Sequence, residues 1–331
     1  MIRIGARNTI TDVDGILVGN ADDLEACTGT TVVFCEAPAV AAVDVGGGAP
    51  GTREIALLDP ACSVEAIDAV VLSGGSAFGL AAAEAVLDGL ADQDRGVRVG
   101  GAQVPIVPAA ILFDLLIGDE PAPLGPLYRS LGAKALADIG SDVALGNHGA
   151  GVGATAGRVK GGLGSASFCH EKLGVTVGAL AAVNAHGEAV TPDRRQLWAA
   201  PFEQDLELGS QGPLPAISAA ELAFDRPAAI AENTTLVVVA TDARLTKAQA
   251  KRVALMAKDG FARALRPVHT PFDGDTVFVL ATGKQRLEDP LYGVLQIGML
   301  AADCVTRAIA RGVYEARSLG GFPAYRDLRS A

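Results

Sequence analysis

The chain has 331 residues, of which 50% are hydrophobic and 20% charged, a composition typical of a globular protein with a large core. Its 38 Asp and Glu residues outnumber 27 Lys and Arg residues, which gives a net charge of −11. Because there is also no basic stripe, binding to nucleic acid or to an anionic membrane is not expected.

Short apolar runs separated by glycines predict the elements of the first half. Strands are expected at Thr30–Phe34, Val40–Val45 and Ala69–Ser73. The last of these leads through Gly74–Ser76 into an alanine-rich helix from about Ala77 to Leu90. A glycine-dense loop is expected over 146–164. The apolar run Val175–Val183 is suited to a buried strand.

The second half begins with residues 191–233, which are rich in Pro, Glu, Asp and Gln. We expect an exposed connection there, in which a backbone cut is tolerated. After it the sequence predicts a strand at 235–240, a turn at Thr241–Ala243, a helix, a strand at Thr276–Ala281 and a long helix near 290–312. Thr246 and Gln249 have the capping-box spacing that marks a helix start. Alternating strands and helices predict a layered α/β fold, and the length fits one large unit as well as two domains.

The segment Glu232-Asn233-Thr234-Thr235 is the most informative, because it runs into the apolar residues 236–240. A hydroxyl residue at the mouth of a buried strand is where a self-cleaving amide hydrolase would keep its nucleophile. If the Asn233–Thr234 bond breaks, Thr234 gains a free α-amine beside its hydroxyl, so that one residue supplies base and nucleophile. The alternative is a loop that ends in a strand, since Asn favours turns and Thr favours strands.

The sequence carries no visible targeting signal. No basic region followed by an apolar run occurs at the N-terminus, so no signal peptide is expected. The apolar segment Leu291–Ala310 contains Asp303 and Arg307 and is too polar to span a bilayer. Five scattered cysteines without a CxxC pair are expected to be reduced core thiols of a cytoplasmic protein, and a metal site is not expected.

Seven short motifs occur in order along nearly the whole chain: SGGSAFGL (73–80), VPAAILFD (107–114), GAGVGA (149–154), KGGLGSAS (160–167), VNAHG (183–187), NTT (233–235) and DGDT (273–276). Each is weak alone, but together they are specific. With them the sequence resembles the P1 (S58) peptidases, which are self-processing aminopeptidases of the D-aminopeptidase and β-aminopeptidase type together with 6-aminohexanoate-oligomer hydrolases. Asn before Thr at the cleavage position resembles the oligomer hydrolases.

The resemblance implies a four-layer αββα sandwich of the D-aminopeptidase/ornithine acetyltransferase-like type in one domain, 1–331. It also implies autocleavage between Asn233 and Thr234 into an α chain, 1–233, and a β chain, 234–331, and assembly as a homotetramer. The implied activity is cofactor-free hydrolysis of small peptides, amino-acid amides or ω-amino-acid oligomers through a threonine acyl-enzyme.

Thr234 is then the expected nucleophile, and its freed α-amine, with a pKa near ~8, would serve as base. The first cleavage cannot use that amine, because the amine is still part of an amide. Asp273 and Asp275 stand where the family carries a pair of polar or acidic residues, and residues i and i+2 of an extended segment point to one side. One carboxylate would assist proton transfer while the other holds the ammonium form of Thr234. Alternatively, Asp-Gly-Asp is a tight turn.

Four further residues are candidates for the site. Asn184 would donate its side-chain amide to the developing oxyanion, although residues 184–187 also suit a hairpin loop. Arg158 and Lys160 flank the glycine-dense loop, and the resemblance places one of them beside the site. Phe113 stands where well-studied members carry a tyrosine whose hydroxyl is assigned to oxyanion binding or positioning. Since Phe113 has no such donor, substrate specificity does not carry over from those members.

Other functions remain open. An acyltransferase of the ornithine acetyltransferase-like type would also cut before a threonine, and a non-catalytic binding protein could keep the same fold. A Ser-His triad is disfavoured, because the four histidines are scattered and no serine has a Gly-x-Ser-x-Gly context. Gly46-x-Gly48-x-x-Gly51 matches a dinucleotide fingerprint, but Pro50 interrupts it and a plain turn is expected.

Overall fold

The computed structural model describes residues 1–118, 124–224 and 233–330. In chain order the strands are β1 (Ile2–Ile4), β2 (Ile16–Asp23), β3 (Thr28–Val45), β4 (Gly51–Arg53), β5 (Ala66–Ser73), β6 (Val97–Val99), β7 (Ala102–Val104), β8 (Ala109–Ile111), β9 (Thr155–Ala156), β10 (Val159–Lys160), β11 (Gly162–His170), β12 (Val175–Asn184), β13 (Thr234–Ala243) and β14 (Thr276–Gln285). The helices are α1 (Ala81–Ala91), α2 (Leu124–Ala137), α3 (Lys247–Ala257), α4 (Asp259–Ala264), α5 (Pro290–Glu315) and α6 (Tyr325–Ser330).

Strand β3 joins the two halves of the β-structure. The hydrogen-bonded order is β1-β11-β12-β13-β14-β3-β5-β8-β4, and β2 also pairs with β3. The C-terminal part of β3 pairs with β14 and its N-terminal part with β2, whereas β5 pairs with the N-terminal part and with Ala39 and Val40. A register shift between Phe34 and Ala39 separates the two parts. Pro38 lies within this irregular stretch, where the N–H that proline lacks is not required by the ladder.

Three apolar clusters separate four layers. One lies between the helices α3–α5 and the half-sheet β11–β14, and includes Val237 and Val239. The second lies between the two half-sheets and includes Leu236 and Val238 from β13 with Val33 from β3. The third packs α1 and α2 onto β3 and β5. Successive β13 residues therefore enter different clusters, which explains why its apolar run is unbroken. The layer order is αββα, as the sequence predicted.

Contrary to the expectation from its two charged residues, helix α5 is long and apolar enough to cross a membrane by length and composition. Most of it is buried within the protein, however, against β11 and β12. Its start is capped by Asp289, whose side chain accepts hydrogen bonds from two backbone N–H groups. The charges within it are paired: Asp303 with Arg263 at 2.6 Å, and Arg307 with Glu207 at 2.6 Å. This helix is therefore a core element of the sandwich.

Several predicted elements are extended or corrected by the structure. Residues 30–34 and 40–45 belong to one strand, β3, and the predicted turn at Thr241–Ala243 is wrong, because these residues continue β13 through a bulge to pair with β14. The glycine-dense loop contains the β9–β10 hairpin and the start of β11. The segment 191–233 is not uniformly exposed, since Leu197 is buried, and its part 225–232 lies outside the described residues. Cys62 is exposed rather than a core thiol.

Candidate active site

Three neighbouring strand ends bring the predicted site residues together. Thr234 is the first residue of β13 and lies opposite Asn184, the last residue of β12. On its other side β13 runs parallel to β14, and Asn233 bridges to Asp273 just before β14 begins. Glu232, the first residue of the predicted cleavage segment, lies outside the described part of the chain. The arrangement gathers Thr234, Asn184 and the Asp-Gly-Asp segment at one edge of the half-sheet.

The hydroxyl of Thr234 lies against the peptide bond that precedes it. Its Oγ1 donates to the carbonyl oxygen of Asn233 at 2.6 Å. The backbone N–H of Gly274 points at both oxygens, at 3.0 Å from the Asn233 oxygen and 3.2 Å from Thr234 Oγ1. A Cβ at position 274 would lie 2.5 Å from Thr234 Oγ1, so the position requires glycine. Asn233 and Thr234 are both 4% exposed, so the predicted cleavage bond is buried rather than on an exposed connection.

Both predicted carboxylates are buried and fully engaged. Asp275 accepts from the N–H of Thr235 at 2.8 Å with one oxygen, and from the N–H and Nδ1 of His269 at 3.0 and 2.8 Å with the other. Asp273 accepts from the N–H of His186 at 3.1 Å and from the N–H and hydroxyl of Thr270. Among the described residues neither carboxylate bonds Thr234 directly. Instead they fix its neighbours on both sides.

Burial raises the pKa of Asp273, and the charge of Asp275 raises it further. A carboxyl group with a raised pKa is better suited to take up and release a proton near neutral pH. Asp273 therefore suits a role in proton transfer.

The backbone of the segment Gly46–Ala49 donates hydrogen bonds to the Asp-Gly-Asp segment. The N–H groups of Gly46 and Gly47 donate to the Asp275 carbonyl at 2.9 and 3.3 Å, and that of Ala49 donates to the Asp273 carbonyl at 2.8 Å. A Cβ on Gly47 would lie 2.1 Å from the Asp273 oxygen. The glycine pattern that resembles a dinucleotide fingerprint thus allows close backbone contact with the site. Sequence reasoning missed this role, because the contact joins segments far apart in the chain.

Asn184 is held in one orientation by Thr155. The N–H of Thr155 donates to Asn184 Oδ1 at 2.9 Å, and the Thr155 hydroxyl donates to the same oxygen at 3.3 Å. Since an N–H can only meet the amide oxygen, the amide nitrogen of Asn184 must face the other way, and it donates to the Phe113 carbonyl at 2.9 Å. Thr155 was not predicted, because no local pattern in the glycine-dense segment points to it.

A pocket of about 100 Å³ opens beside these groups. It is lined by Phe113, Asp114, Leu116, Ile117, Thr155, Asn184, Asn233 and Phe322. Phe113 thus lines the pocket, and its carbonyl oxygen accepts the hydrogen bond from Asn184. We refer to this cavity as the Phe113 pocket.

The two basic candidates take different places. Lys160 is fully buried, and its Nζ donates to the carbonyl oxygens of Gly151, Ala154 and Gly161 at 2.6–3.0 Å. Burial lowers the pKa of Lys160 to about 7, an effect that the charge of Asp114 partly opposes. Lys160 therefore holds the loop that carries Thr155 and does not line the Phe113 pocket. Arg158 is half-exposed, lies 3.6 Å from Glu188, and lines a different pocket.

The four histidines have different surroundings. His186 and His170 are buried, and His269 bonds Asp275, whereas His148 is exposed and pairs with Asp22. His186 lies inside the site: its Nδ1 is 3.4 Å from Asn233 Nδ2. Within the described ranges no group of three or more His, Cys, Asp or Glu residues could hold a metal ion.

Known proteins resemble the chain over most of its length. The sequence model of Peptidase family S58 matches residues 8–326. An uncharacterized aminopeptidase of Mycobacterium tuberculosis is 44% identical over 348 aligned positions, which cover 97% of this chain and 98% of the relative. A 6-aminohexanoate-oligomer endohydrolase of Paenarthrobacter ureafaciens is 29% identical over 279 positions, which cover 82% of this chain and 74% of the relative.

A solved structure shares the fold. The L-aminopeptidase D-Ala-esterase/amidase of Ochrobactrum anthropi, a prototype of the serine aminopeptidases, aligns with a TM-score of 0.72 at 22% identity and covers 97% of this chain and 90% of that chain. That enzyme has a variant of the Ntn hydrolase fold. The predicted αββα sandwich of the aminopeptidase type is thereby confirmed.

Proposed function

The chain belongs to peptidase family S58, and we propose that it is a self-processing amide hydrolase whose nucleophile is Thr234. The observation that carries this proposal is the 2.6 Å contact between the Thr234 hydroxyl and the Asn233 carbonyl oxygen. The Thr234 hydroxyl lies beside the Asn233–Thr234 amide, and cleavage of that amide would make Thr234 an N-terminal nucleophile. The Gly274 N–H, which is bonded to the same carbonyl oxygen, supplies a donor for the charge that develops there.

In the maturation step, Thr234 Oγ1 attacks the carbonyl carbon of Asn233, and its proton passes to a base. The carbonyl oxygen becomes an oxyanion bonded to the Gly274 N–H. Collapse of this intermediate breaks the carbon–nitrogen bond, the Thr234 nitrogen takes up a proton, and Asn233 is left as an ester on Thr234. Water then hydrolyses the ester and releases the Asn233 carboxylate and a Thr234 with a free amine and hydroxyl.

We assign proton transfer in this first step to Asp273, because its pKa is raised and its backbone is bridged to that of Asn233. Asp275 serves as the holding group, since it binds the N–H of Thr235 and so fixes the strand end that carries the nucleophile. After cleavage the free α-amine of Thr234 takes over from Asp273 as the base.

Turnover of substrate repeats the same attack on an external amide. The Asn233 carbonyl of the uncut chain marks where a substrate carbonyl must lie, because the same hydroxyl attacks both. The surrounding Phe113 pocket is then the site of the substrate's acyl part, and its size limits that part to a small amino-acid unit. The Asn184 amide nitrogen, which lies at the pocket edge and donates to the Phe113 carbonyl in the uncut chain, is the second oxyanion donor.

Hydrolysis assays test the function. Wild-type protein and Thr234→Val, which keeps the shape but loses the hydroxyl, are compared on amino-acid p-nitroanilides, short peptides and 6-aminohexanoate oligomers. We expect hydrolysis of at least one class by wild type and none above background by Thr234→Val. Equal rates for the two proteins would remove Thr234 as the nucleophile. Release of product that rises sharply on adding an amino-acid acceptor would favour acyl transfer instead.

A further inference from the structure

His269 is bonded to the Asp275 carboxylate through both its backbone and its side chain. Its backbone N–H and its ring nitrogen Nδ1 donate to the same oxygen, Oδ2, at 3.0 and 2.8 Å. The other carboxylate oxygen, Oδ1, accepts from the N–H of Thr235 at 2.8 Å. A series of hydrogen bonds therefore runs from His269 through Asp275 to the residue that follows Thr234.

This contact assigns the imidazole its tautomer. An ionised carboxylate can only accept, so the proton of the contact lies on His269 Nδ1. The second ring nitrogen, Nε2, forms no hydrogen bond with any residue that the structure describes, and the side chain is 21% exposed. The ring therefore serves the Asp275 carboxylate alone, and its removal leaves no second protein group without a partner.

The backbone of His269 is held in an uncommon conformation. Its φ angle is 54°, in the left-handed region that few residues other than Gly, Asn, Asp and His adopt readily. In this conformation the backbone N–H and the ring point at the same carboxylate oxygen. Such backbone strain persists only where surrounding contacts fix it, and it is frequent at functional sites.

The neighbours of the ring leave a place for it. A Cβ on Gly46 would lie 2.9 Å from His269 Nδ1 and 3.1 Å from its Cε1, so a larger residue at position 46 would displace the imidazole. The ring of Phe261 packs against the imidazole with centroids 5.1 Å apart. The N–H of the same Gly46 donates to the Asp275 carbonyl at 2.9 Å. Gly46 thus contacts both the imidazole and the residue that the imidazole binds.

The two carboxylates of the site differ in this respect. Asp273 accepts from the backbone N–H groups of His186 and Thr270 and from the Thr270 hydroxyl, and no imidazole of the described residues donates to it. Donation by an imidazole favours the ionised carboxylate and fixes the direction of its oxygens. Asp275 is therefore the member of the pair whose charge and orientation are held, which suits its assigned role as the holding group.

We propose that His269 is a positioning residue for cleavage of the Asn233–Thr234 bond. It holds the Asp275 carboxylate so that Oδ1 stays on the Thr235 N–H, and the strand end that carries Thr234 stays in place against its target. The proposal rests on the self-processing function above and adds a residue to it. His269 does not touch the reacting atoms. What cleavage requires at this position is a side-chain donor where Nδ1 lies, and not a ring or a charge.

Two substitutions of equal shape test this requirement, with cleavage followed over time by intact mass. Asn and Asp both tolerate the left-handed backbone and place an atom where Nδ1 lies, but only Asn can donate to Asp275. His269→Asn should mature at close to the wild-type rate. His269→Asp should mature about a hundredfold more slowly, because it lacks the donor and sets a second charge against Asp275.

His148 offers the matched control, because its Nδ1 lies 2.7 Å from the Asp22 carboxylate at the exposed surface. His148→Asp should therefore mature as wild type does, although it makes the same change beside a carboxylate. Equal loss of cleavage in both His269 variants, or loss in neither, would overturn the proposal.

Nitrogen-15 NMR of histidine-labelled Thr234→Val protein tests the contact without any cleavage. The chain has four histidines, and the His269 signals are those that His269→Asn removes. We expect Nδ1 to carry a proton whose chemical shift changes on Asp275→Asn, and an Nδ1 that ignores Asp275 would overturn the proposal. A wild-type chain that stays uncut would remove the function, and this role with it. Cleavage that ignores His269 while its Nδ1 responds to Asp275 would remove the role alone.

Discussion

The hydroxyl of Thr234 and the carbonyl oxygen of Asn233 are 2.6 Å apart, and the N–H of Gly274 is bonded to both. In the function that we propose, these groups are the nucleophile, its target amide and an oxyanion donor, and they lie together at the edge of a buried sheet. Little rearrangement is needed before the bond can be attacked, and this preorganisation is the main source of rate in such a site.

Gly274→Ala should block maturation. The added Cβ would lie 2.5 Å from Thr234 Oγ1 and displace the hydroxyl, and a misplacement of this kind slows a reaction by about a hundredfold. The time course of cleavage on denaturing gels measures it. Gly125→Ala on α2 is the matched control, because no atom lies within 4 Å of its Cβ, and it should mature normally. Normal maturation of Gly274→Ala would show that the Gly274 contact is not used.

Asp275→Asn should slow maturation about a hundredfold, because the strand end that carries Thr234 is no longer held in place. The variant loses the charge that binds the Thr235 N–H and His269. The NH₂ group of the new amide would also face one of these N–H groups, from which it cannot accept a hydrogen bond. Asp242→Asn is the control. Asp242 is also a buried carboxylate, but it lies on β13 and binds the Thr176 N–H far from the site. Reduced stability but unimpaired maturation is expected for Asp242→Asn. Equal loss in both variants would point to a general folding defect.

Thr155→Val should lower kcat about threefold to tenfold with little change in KM. The substitution removes the hydroxyl bond to Asn184 but keeps the backbone bond, so the amide of Asn184 is less firmly oriented. Thr155→Ser restores the hydroxyl and should recover the rate. A purely structural role for Thr155 would instead change thermal stability and leave kcat unaltered.

Lys160 should make stability rise with pH above neutral. Burial lowers its pKa in the folded chain to about 7 from 10.5, so between these values the unfolded chain binds the extra proton. The free energy of unfolding therefore increases by about 1 kcal/mol per pH unit from this group in that window.

Urea unfolding from pH 7 to pH 10 measures this slope, in the Thr234→Val background, which the account predicts to remain one chain. Lys160→Met should lose the slope and be destabilised by about 3 kcal/mol, because three loop carbonyls lose their donor. Lys134→Met, on the exposed face of α2, should keep the wild-type profile. A slope that persists in Lys160→Met must come from other groups.

The elements that the sequence predicted well are those with a strong local signal. Val175–Val183 and Thr276–Ala281 are almost entirely apolar because both faces of their strands are covered, and both are strands in the structure. The break expected between Phe34 and Val40 did not occur, since the exposed stretch around Pro38 is absorbed as a bulge within β3. Local polarity cannot distinguish a loop from an exposed bulge.

The residues of the candidate site also differ in whether the sequence could predict them. Thr234, Asp273 and Asp275 could be named as candidates from the sequence, because they lie where apolar strands begin and match a family pattern. Thr155 and the Gly46–Ala49 segment could not, since they reach the site through hydrogen bonds between distant parts of the chain. Lys160 was one of the two basic residues that the resemblance offered for the site, but its Nζ binds loop carbonyls rather than the pocket. Tertiary contacts decide which way such a side chain points.

The intact mass of the purified protein, followed by N-terminal sequencing, tests the central claim most directly. Our account predicts two chains, 1–233 and 234–331, the second beginning Thr234-Thr235-Leu236. Thr234→Ser should be cut at the same bond, and Thr234→Val should keep the full mass of 33.6 kDa. A wild-type protein that hydrolyses amides as a single uncut chain, or one cut at another bond, would contradict the account.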